Sequence, residues 1–190
     1  MISAGRPPRG CAATLALLCI ATSAFAAEPF TLTSSTFKDG TMLPLRYTGD
    51  LKTNPNCLGE NVSPALHWSN APAGTKSFAL LLIDPEGRNG LGVVHWVAYD
   101  IPATVDGFAE GEVSKPSSKY VGGKSIVNRS TYFGPCPPPD TAPHHYTFTL
   151  IATDLEPGAL PPGLTRDELL AKLQGHTKAA AGIVALYKHP

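Results

Sequence analysis

The sequence lacks an excess of charge of either sign. Its 190 residues include 15 Lys and Arg and 15 Asp and Glu, and like charges do not cluster in blocks. Nucleic acids and anionic membrane surfaces are recognised by clustered Lys and Arg, so the composition argues against both partners. Internal repeats and low-complexity linkers are also missing, which predicts a single folded domain.

Apolar runs long enough to cross a bilayer are missing too. The run from Cys11 to Ala24 is shorter than the roughly 18–20 residues that a span needs. It follows two arginines, Arg6 and Arg9, and ends in the small-residue cleavage pattern Ala24-Phe25-Ala26. This pattern predicts a signal peptide over residues 1–26 and a periplasmic or secreted domain over residues 27–190. A membrane anchor is the alternative interpretation, and we expect no stable anchor.

The expected mature chain is poor in cysteine and slightly acidic. Removal of Arg6 and Arg9 leaves 15 − 2 = 13 basic residues against 15 acidic ones, a formal charge of −2. Only Cys57 and Cys136 follow residue 26. Two thiols in an exported protein predict a disulfide, and two free buried cysteines are the alternative.

Common catalytic motifs are absent as well. The sequence contains neither the H-E-x-x-H motif of zinc proteases nor the G-x-S-x-G elbow of serine hydrolases. Gly90-Leu91-Gly92 lacks the third glycine of a dinucleotide-binding loop. We therefore predict a protein that is not an enzyme and that has no cofactor.

What the sequence does contain is a series of short strand-like segments separated by Pro and Gly, which is typical of an antiparallel β fold. One helix is predicted, because Thr165-Arg166-Asp167-Glu168 forms a capping box and Gly175 ends the apolar pattern. The predicted strands are Phe30–Thr33, Leu45–Tyr47, Leu66–Ser69, Ser77–Ile83, Val93–Ile101, His145–Thr153 and Ile183–Tyr187.

Four polar side chains are expected to meet at one end of the sheet. Asp84 ends an apolar strand and His95 begins the next, so a hairpin brings them together. His144 and Tyr146 are two residues apart at the start of a later strand and share a face. This set is compatible with an anion-binding cleft, a metal site or an acid–base pair. Since His144 and His145 are adjacent and point to opposite faces, the metal site is the less favoured interpretation.

Together these motifs resemble the phosphatidylethanolamine-binding protein family and its bacterial Raf-kinase-inhibitor-like branch. The similarity covers roughly Phe30 to Tyr187 and includes Asp84-Pro85, His95-Trp96 and Asn61-Val62-Ser63-Pro64. Two further segments carry it: Gly134-Pro135-Cys136-Pro137-Pro138 and His144-His145-Tyr146.

The resemblance implies a mainly β fold, in which a large antiparallel sheet packs on a smaller one with short peripheral helices. It also implies that the ligand pocket is formed by Asp84, His95, Cys136, Pro137, His144 and Tyr146.

The expected function is therefore the binding of a small phosphate- or carboxylate-bearing ligand, such as a phosphoethanolamine-like group. In that case both histidines are expected to donate N–H groups to the anion. The alternatives are an inhibitor that contacts a protease or kinase-like protein partner through surface loops and, less favoured, a hydrolase that uses His95 and Asp84.

The chain departs from the family pattern at one loop. Glu86-Gly87-Arg88 stands where the family usually has Asp-Ala-Pro. This loop forms one rim of the family's pocket, and the sequence does not determine how rigid it is here.

Overall fold

The computed structural model describes residues 1–2, 5, 28–139 and 142–190. The predicted signal peptide therefore lies almost entirely outside the described residues. The strands are β1 (Thr31–Thr33), β2 (Thr41–Met42), β3 (Leu66–Ser69), β4 (Ser77–Asp84), β5 (Val93–Pro102), β6 (Gly107–Phe108), β7 (Val121–Gly122), β8 (His144–Thr153) and β9 (Thr177–Tyr187). Two α-helical segments, α1 (Gly87–Gly90) and α2 (Arg166–Leu173), and two 3-10 turns, Leu45–Tyr47 and Glu112–Ser114, complete the described elements.

The strands form two sheets that pack face to face. The larger sheet has the order β2-β9-β8-β4-β5-β7, and the smaller has the order β1-β3-β6. Pairing is antiparallel throughout, except between β2 and β9. Aromatic contacts join the sheets, such as Trp68 with Phe78 at 5.7 Å between ring centroids. The predicted mainly β fold with two sheets and few helices is confirmed.

Strand β4 is buried on both faces, which explains its continuous apolar sequence. Phe78, Leu80 and Leu82 belong to the core between the sheets, whereas Ala79 and Leu81 belong to a second core on the other face of the large sheet. Helix α2 supplies part of that second core. β4 is therefore the rigid centre of the molecule, and the strands beside it, β5 and β8, carry the candidate histidines.

Helix α2 begins at the predicted capping box. The Thr165 hydroxyl accepts the backbone N–H of Glu168, and the Glu168 carboxylate accepts the backbone N–H of Thr165. Two of the four unpaired N–H groups at the helix start are thereby satisfied. The helix prediction is confirmed.

Two strand predictions are wrong in different ways. Leu45–Tyr47 is a 3-10 turn, because Pro44 has the fixed φ that starts such a turn and its carbonyl accepts the Tyr47 N–H at 3.1 Å. Strand β9 begins at Thr177, six residues before the predicted Ile183. Its alanine-rich first half pairs with β8 despite a low intrinsic preference for strands.

None of the helices in the described part of the chain has the length and apolarity that a membrane span requires.

Candidate functional site

A cavity of about 320 Å³ opens at one edge of the large sheet. Three of its side chains stand near strand ends: Asp84 is the last residue of β4, His95 is the third of β5, and His144 is the first of β8. Since β5 and β8 both flank β4 in antiparallel register, these ends meet at the same edge. The predicted meeting of Asp84, His95 and His144 is what the structure shows.

Asp84 is buried and both of its carboxylate oxygens are occupied. Oδ1 accepts the backbone N–H of Gly87 at 2.9 Å, and Oδ2 lies 2.8 Å from Nδ1 of His144. The first bond shapes the loop after β4, and the second fixes the orientation of the His144 ring. Asp84 thus positions the site and leaves Nε2 of His144 as the ring nitrogen available to a ligand.

His95 is held from two sides. Its ring stacks on Phe133 with centroids 5.6 Å apart, and its Nδ1 lies 3.0 Å from the Phe133 carbonyl oxygen. Burial lowers the pKa of His95 to about 4, although the Phe133 carbonyl and the Asp84 charge oppose that shift. His95 is therefore neutral at neutral pH. This replaces the expectation that both histidines donate to an anion.

Tyr146 lies beneath the histidine rings rather than on the cavity wall. Its ring meets His95 edge to face at 5.2 Å and stacks with His144 at 6.4 Å. Burial, followed by the charge of Asp84, raises the pKa of its hydroxyl far above the ordinary value. Tyr146 lies on the predicted face of β8. It is buried too deeply to line the cavity wall, and it packs against the rings of both histidines.

The rim of the cavity is the loop that departs from the family pattern. The Glu86 carboxylate accepts the backbone N–H of His145 at 3.0 Å and lies 2.8 Å from its Nδ1. Burial alone would raise the pKa of Glu86, but these bonds lower it on balance. The loop is therefore braced against β8, even though the usual proline is replaced by Arg88.

Arg88 lines the cavity in an unusual conformation. Its φ is 55°, in the left-handed region that a residue with a Cβ seldom adopts. Among the described residues, no hydrogen bond or ion pair engages its side chain. A cation is therefore available at the mouth of the cavity.

A disulfide joins Cys57 to Cys136, which lines the cavity wall, across 79 positions of sequence. Cys136 and Pro137 line the cavity, as the resemblance implied. The bond ties the loop that contains Asn54, itself a lining residue, to this wall.

Asn61 is a positioning residue that sequence reasoning missed. It is buried, its amide N–H donates to the Tyr132 carbonyl at 3.0 Å, and its amide oxygen accepts the Gly134 N–H at 2.8 Å. It therefore holds both neighbours of Phe133, the residue on which His95 depends. The N-x-S-P sequence was a signal, but these contacts span more than 70 positions and cannot be deduced from local pattern.

Among the described residues, one group of three acidic or histidine side chains has donor atoms close enough to hold a metal ion. The donor atoms of Asp84, Glu86 and His144 lie within 4.8 Å of one another. All three side chains are already hydrogen-bonded within the protein, so a metal would have to displace those bonds.

Comparison with known proteins agrees with this architecture. The sequence model described as Phosphatidylethanolamine-binding protein matches residues 33–188. A UPF0098 protein of Aquifex aeolicus is 37% identical over 156 residues, which cover 82% of this chain and 86% of the relative. A putative lipoprotein LppC of Mycobacterium tuberculosis is 41% identical over 145 residues, or 73% of this chain and 64% of LppC.

Solved structures lead to the same conclusion. The crystal structure of Escherichia coli YbcL, described as a new member of the mammalian PEBP family, superposes with a TM-score of 0.75 at 31% identity and covers 84% of this chain and 98% of YbcL. A putative homologue from Chlamydia trachomatis, CT736, gives 0.71 at 30% identity, with 85% and 98% covered. The chain belongs to the phosphatidylethanolamine-binding protein family.

Proposed function

We propose that this protein is an exported binding protein that holds a small phosphate- or carboxylate-bearing ligand in the cavity beside His144, without converting it. The observation that carries the proposal is the buried Asp84–His144 pair, whose 2.8 Å contact fixes a histidine ring at the wall of a preformed cavity. A volume near 320 Å³ is at the small end of ligand pockets. A headgroup-sized ligand fits this size better than a long one.

Two side chains at the cavity, His144 and Arg88, can bind an anionic group, although the carboxylates of Asp84 and Glu86 balance their charge. Nδ1 of His144 is paired with the Asp84 carboxylate, so Nε2 donates an N–H to a ligand when the ring carries both protons, and the carboxylate then compensates the charge. Arg88, whose side chain has no hydrogen-bond or ion-pair partner within the described part of the chain, supplies a cation at the cavity. A phosphate or carboxylate oxygen placed between these two groups would accept charge-assisted hydrogen bonds from both.

Two observations support export. Disulfides persist in oxidising compartments and are rare in the cytosol of most organisms, and this chain has one between Cys57 and Cys136. The relative LppC is described as a putative lipoprotein. If the proposal is correct, mass spectrometry of the exported protein finds Ala27 as its first residue.

The binding proposal is tested by thermal unfolding with methyl phosphate or acetate. A ligand present at 100 times its Kd stabilises the folded state by about 2.7 kcal/mol, which corresponds to a rise in Tm of several degrees for a domain of this size. His144→Ala should abolish most of this rise.

His176→Ala is the matched control, because His176 also contacts an aspartate, Asp154, at 2.9 Å but is exposed and does not line the cavity. The ligand should be recovered chemically unchanged after long incubation. Equal protection of wild type and His144→Ala, or no protection by either anion, would refute the proposed site.

A further inference from the structure

The hydrogen-bond partners of His95 determine which of its ring nitrogens carries the proton. Nδ1 faces the carbonyl oxygen of Phe133 at 3.0 Å, and a carbonyl can only accept. In the neutral ring, Nδ1 therefore carries the hydrogen. Nε2 is then a lone-pair acceptor, and His95 lines the cavity.

The groups packed around His95 keep its ring neutral. Burial is the largest effect and lowers the pKa of His95 to about 4, and His144 on β8 adds to the lowering. The backbone of Phe133, the charge of Asp84 on β4 and the backbone of Gly134 act in the opposite direction without overcoming it. Tyr146, on β8 below the ring, keeps its proton because burial raises its pKa. His95 thus presents an acceptor throughout the range from about pH 5 to 8.

The remaining charges of the cavity do not form a strongly positive site. The cavity is lined by two carboxylates, Asp84 and Glu86, as well as by the guanidinium of Arg88 and the ring of His144, so negative charge balances positive charge there. A fully deprotonated, doubly charged anion is poorly matched to this balance. A ligand that displaces water from Nε2 of His95 but offers no hydrogen also leaves this buried acceptor without a hydrogen bond, which is costly.

We infer that the cavity selects an oxyanion that still carries a hydrogen, such as a phosphate monoester with one P–OH group, and discriminates against an oxyanion of equal charge without one. This inference rests on the proposed function and specifies its ligand class. The P–OH group donates to Nε2 of His95, while the other phosphate oxygens accept from Arg88 and, when its ring carries both protons, from His144. Sites built to satisfy such a bond reject analogues that cannot make it.

Methyl phosphate and methyl sulfate test the inference directly. At pH 5.5 both carry about one negative charge, since the second ionisation of a phosphate monoester occurs near pH 6, but only methyl phosphate has a hydrogen to donate. Calorimetric titration should give an affinity at least about tenfold higher for methyl phosphate. Dimethyl phosphate, a singly charged ester without the hydrogen, should bind as weakly as methyl sulfate.

The ratio of the two affinities separates the effect of ligand protonation from the effect of protein titration. Between pH 5.5 and 8, titration of the protein affects both probes, whereas only methyl phosphate loses its hydrogen. The ratio should therefore fall toward one as the pH rises. His95→Phe keeps the stack on Phe133 but removes Nε2, so its ratio should be near one already at pH 5.5, while His176→Ala keeps the wild-type ratio.

A measurement on the wild type keeps the inference testable if His95→Phe does not fold. Nitrogen NMR of the ring should show the proton of His95 on Nδ1, and a proton on Nε2 at neutral pH would overturn the inference.

Inorganic phosphate, methyl phosphate and vesicles of phosphatidic acid all present P–OH and distinguish a free anion, a soluble ester and a lipid as its source.

The possible failures are distinguishable. If methyl sulfate and methyl phosphate bind equally well at pH 5.5 and both depend on His144, the selection is refuted and the binding function stands. If neither ester binds but acetate does, the selection alone is refuted. If none of the three binds, both are refuted.

Discussion

Replacement of Asn61 by alanine should lower the free energy of unfolding by more than the loss of a single local contact would. The Asn61 side chain satisfies the Tyr132 carbonyl and the Gly134 N–H, two backbone groups on either side of Phe133. Asn61 also has φ 56°, a left-handed conformation that asparagine tolerates better than alanine. Alanine therefore removes two buried hydrogen bonds and adds backbone strain at the same position.

The expected loss follows from these three contributions. Each buried bond contributes about 1 kcal/mol to stability, and its loss leaves a buried polar group unpaired. The left-handed conformation costs alanine about 1 kcal/mol more. Asn61→Ala should thus lower the free energy of unfolding by about 3 kcal/mol. Asn61→Gly should lower it by about 2 kcal/mol, since glycine removes the same bonds without the strain.

Urea unfolding measures these values, and Asn70 provides the matched control. Asn70 has φ 59° and donates its amide to the Pro29 carbonyl at 3.2 Å, but it is exposed. Because water can replace an exposed bond, Asn70→Ala should cost only about 1 kcal/mol, mainly from strain. Equal losses at positions 61 and 70, or a larger loss for Asn61→Gly than for Asn61→Ala, would refute this reasoning.

Three further predictions concern the disulfide, the buried histidine and metal. Because Cys57 and Cys136 are 79 positions apart, their replacement by serine should lower stability by about 4 kcal/mol in the chain-entropy model, measured by urea unfolding; two alkylatable thiols in the exported wild type would contradict the bond. His95 has a pKa of about 4 instead of 6.5, so between these values the unfolded state binds more protons. Stability should therefore fall, by on the order of 3 kcal/mol, as the pH drops from 6.5 to 4; His95→Phe should lose less over that range, and equal acid curves would contradict the shift. A chelator should leave Tm unchanged, because the oxygens of Asp84 and Glu86 are already hydrogen-bonded within the protein; a loss of several degrees that zinc restores would contradict this.

The sequence predicted which residues lie near the site better than it predicted how deeply each of them is buried. Asp84 ends one strand and His95 begins the next, so their meeting could be deduced from a hairpin, whereas the family resemblance implied that His144 joins them, through the pairing of β4 with β8. Alternation assigns Tyr146 to the same face as His144, but it does not show that the residue lies below the cavity. That depth depends on packing between β4, β8 and β9, which no local pattern records.

Parts of the fold were beyond sequence reasoning for a related reason. The two-residue strands β2, β6 and β7 are too short to leave a periodic pattern, and they exist because a longer neighbour offers an unpaired edge. The alanine-rich half of β9 is a strand because β8 pairs with it, which overrides local propensity. The protonation of His95 likewise depends on a contact with Phe133 across 38 positions.

The order of strands in the large sheet has a consequence for how the protein is made. β8 and β9, the last two of the described strands in chain order, lie inside the sheet between β2 and β4 rather than at its edge. Until they emerge, the apolar edge of β4 has no neighbour on that side, and the small cavity has no His144. The large sheet therefore cannot be completed until β8 and β9 have been synthesised. Removal of β9 would expose the β8 edge to aggregation.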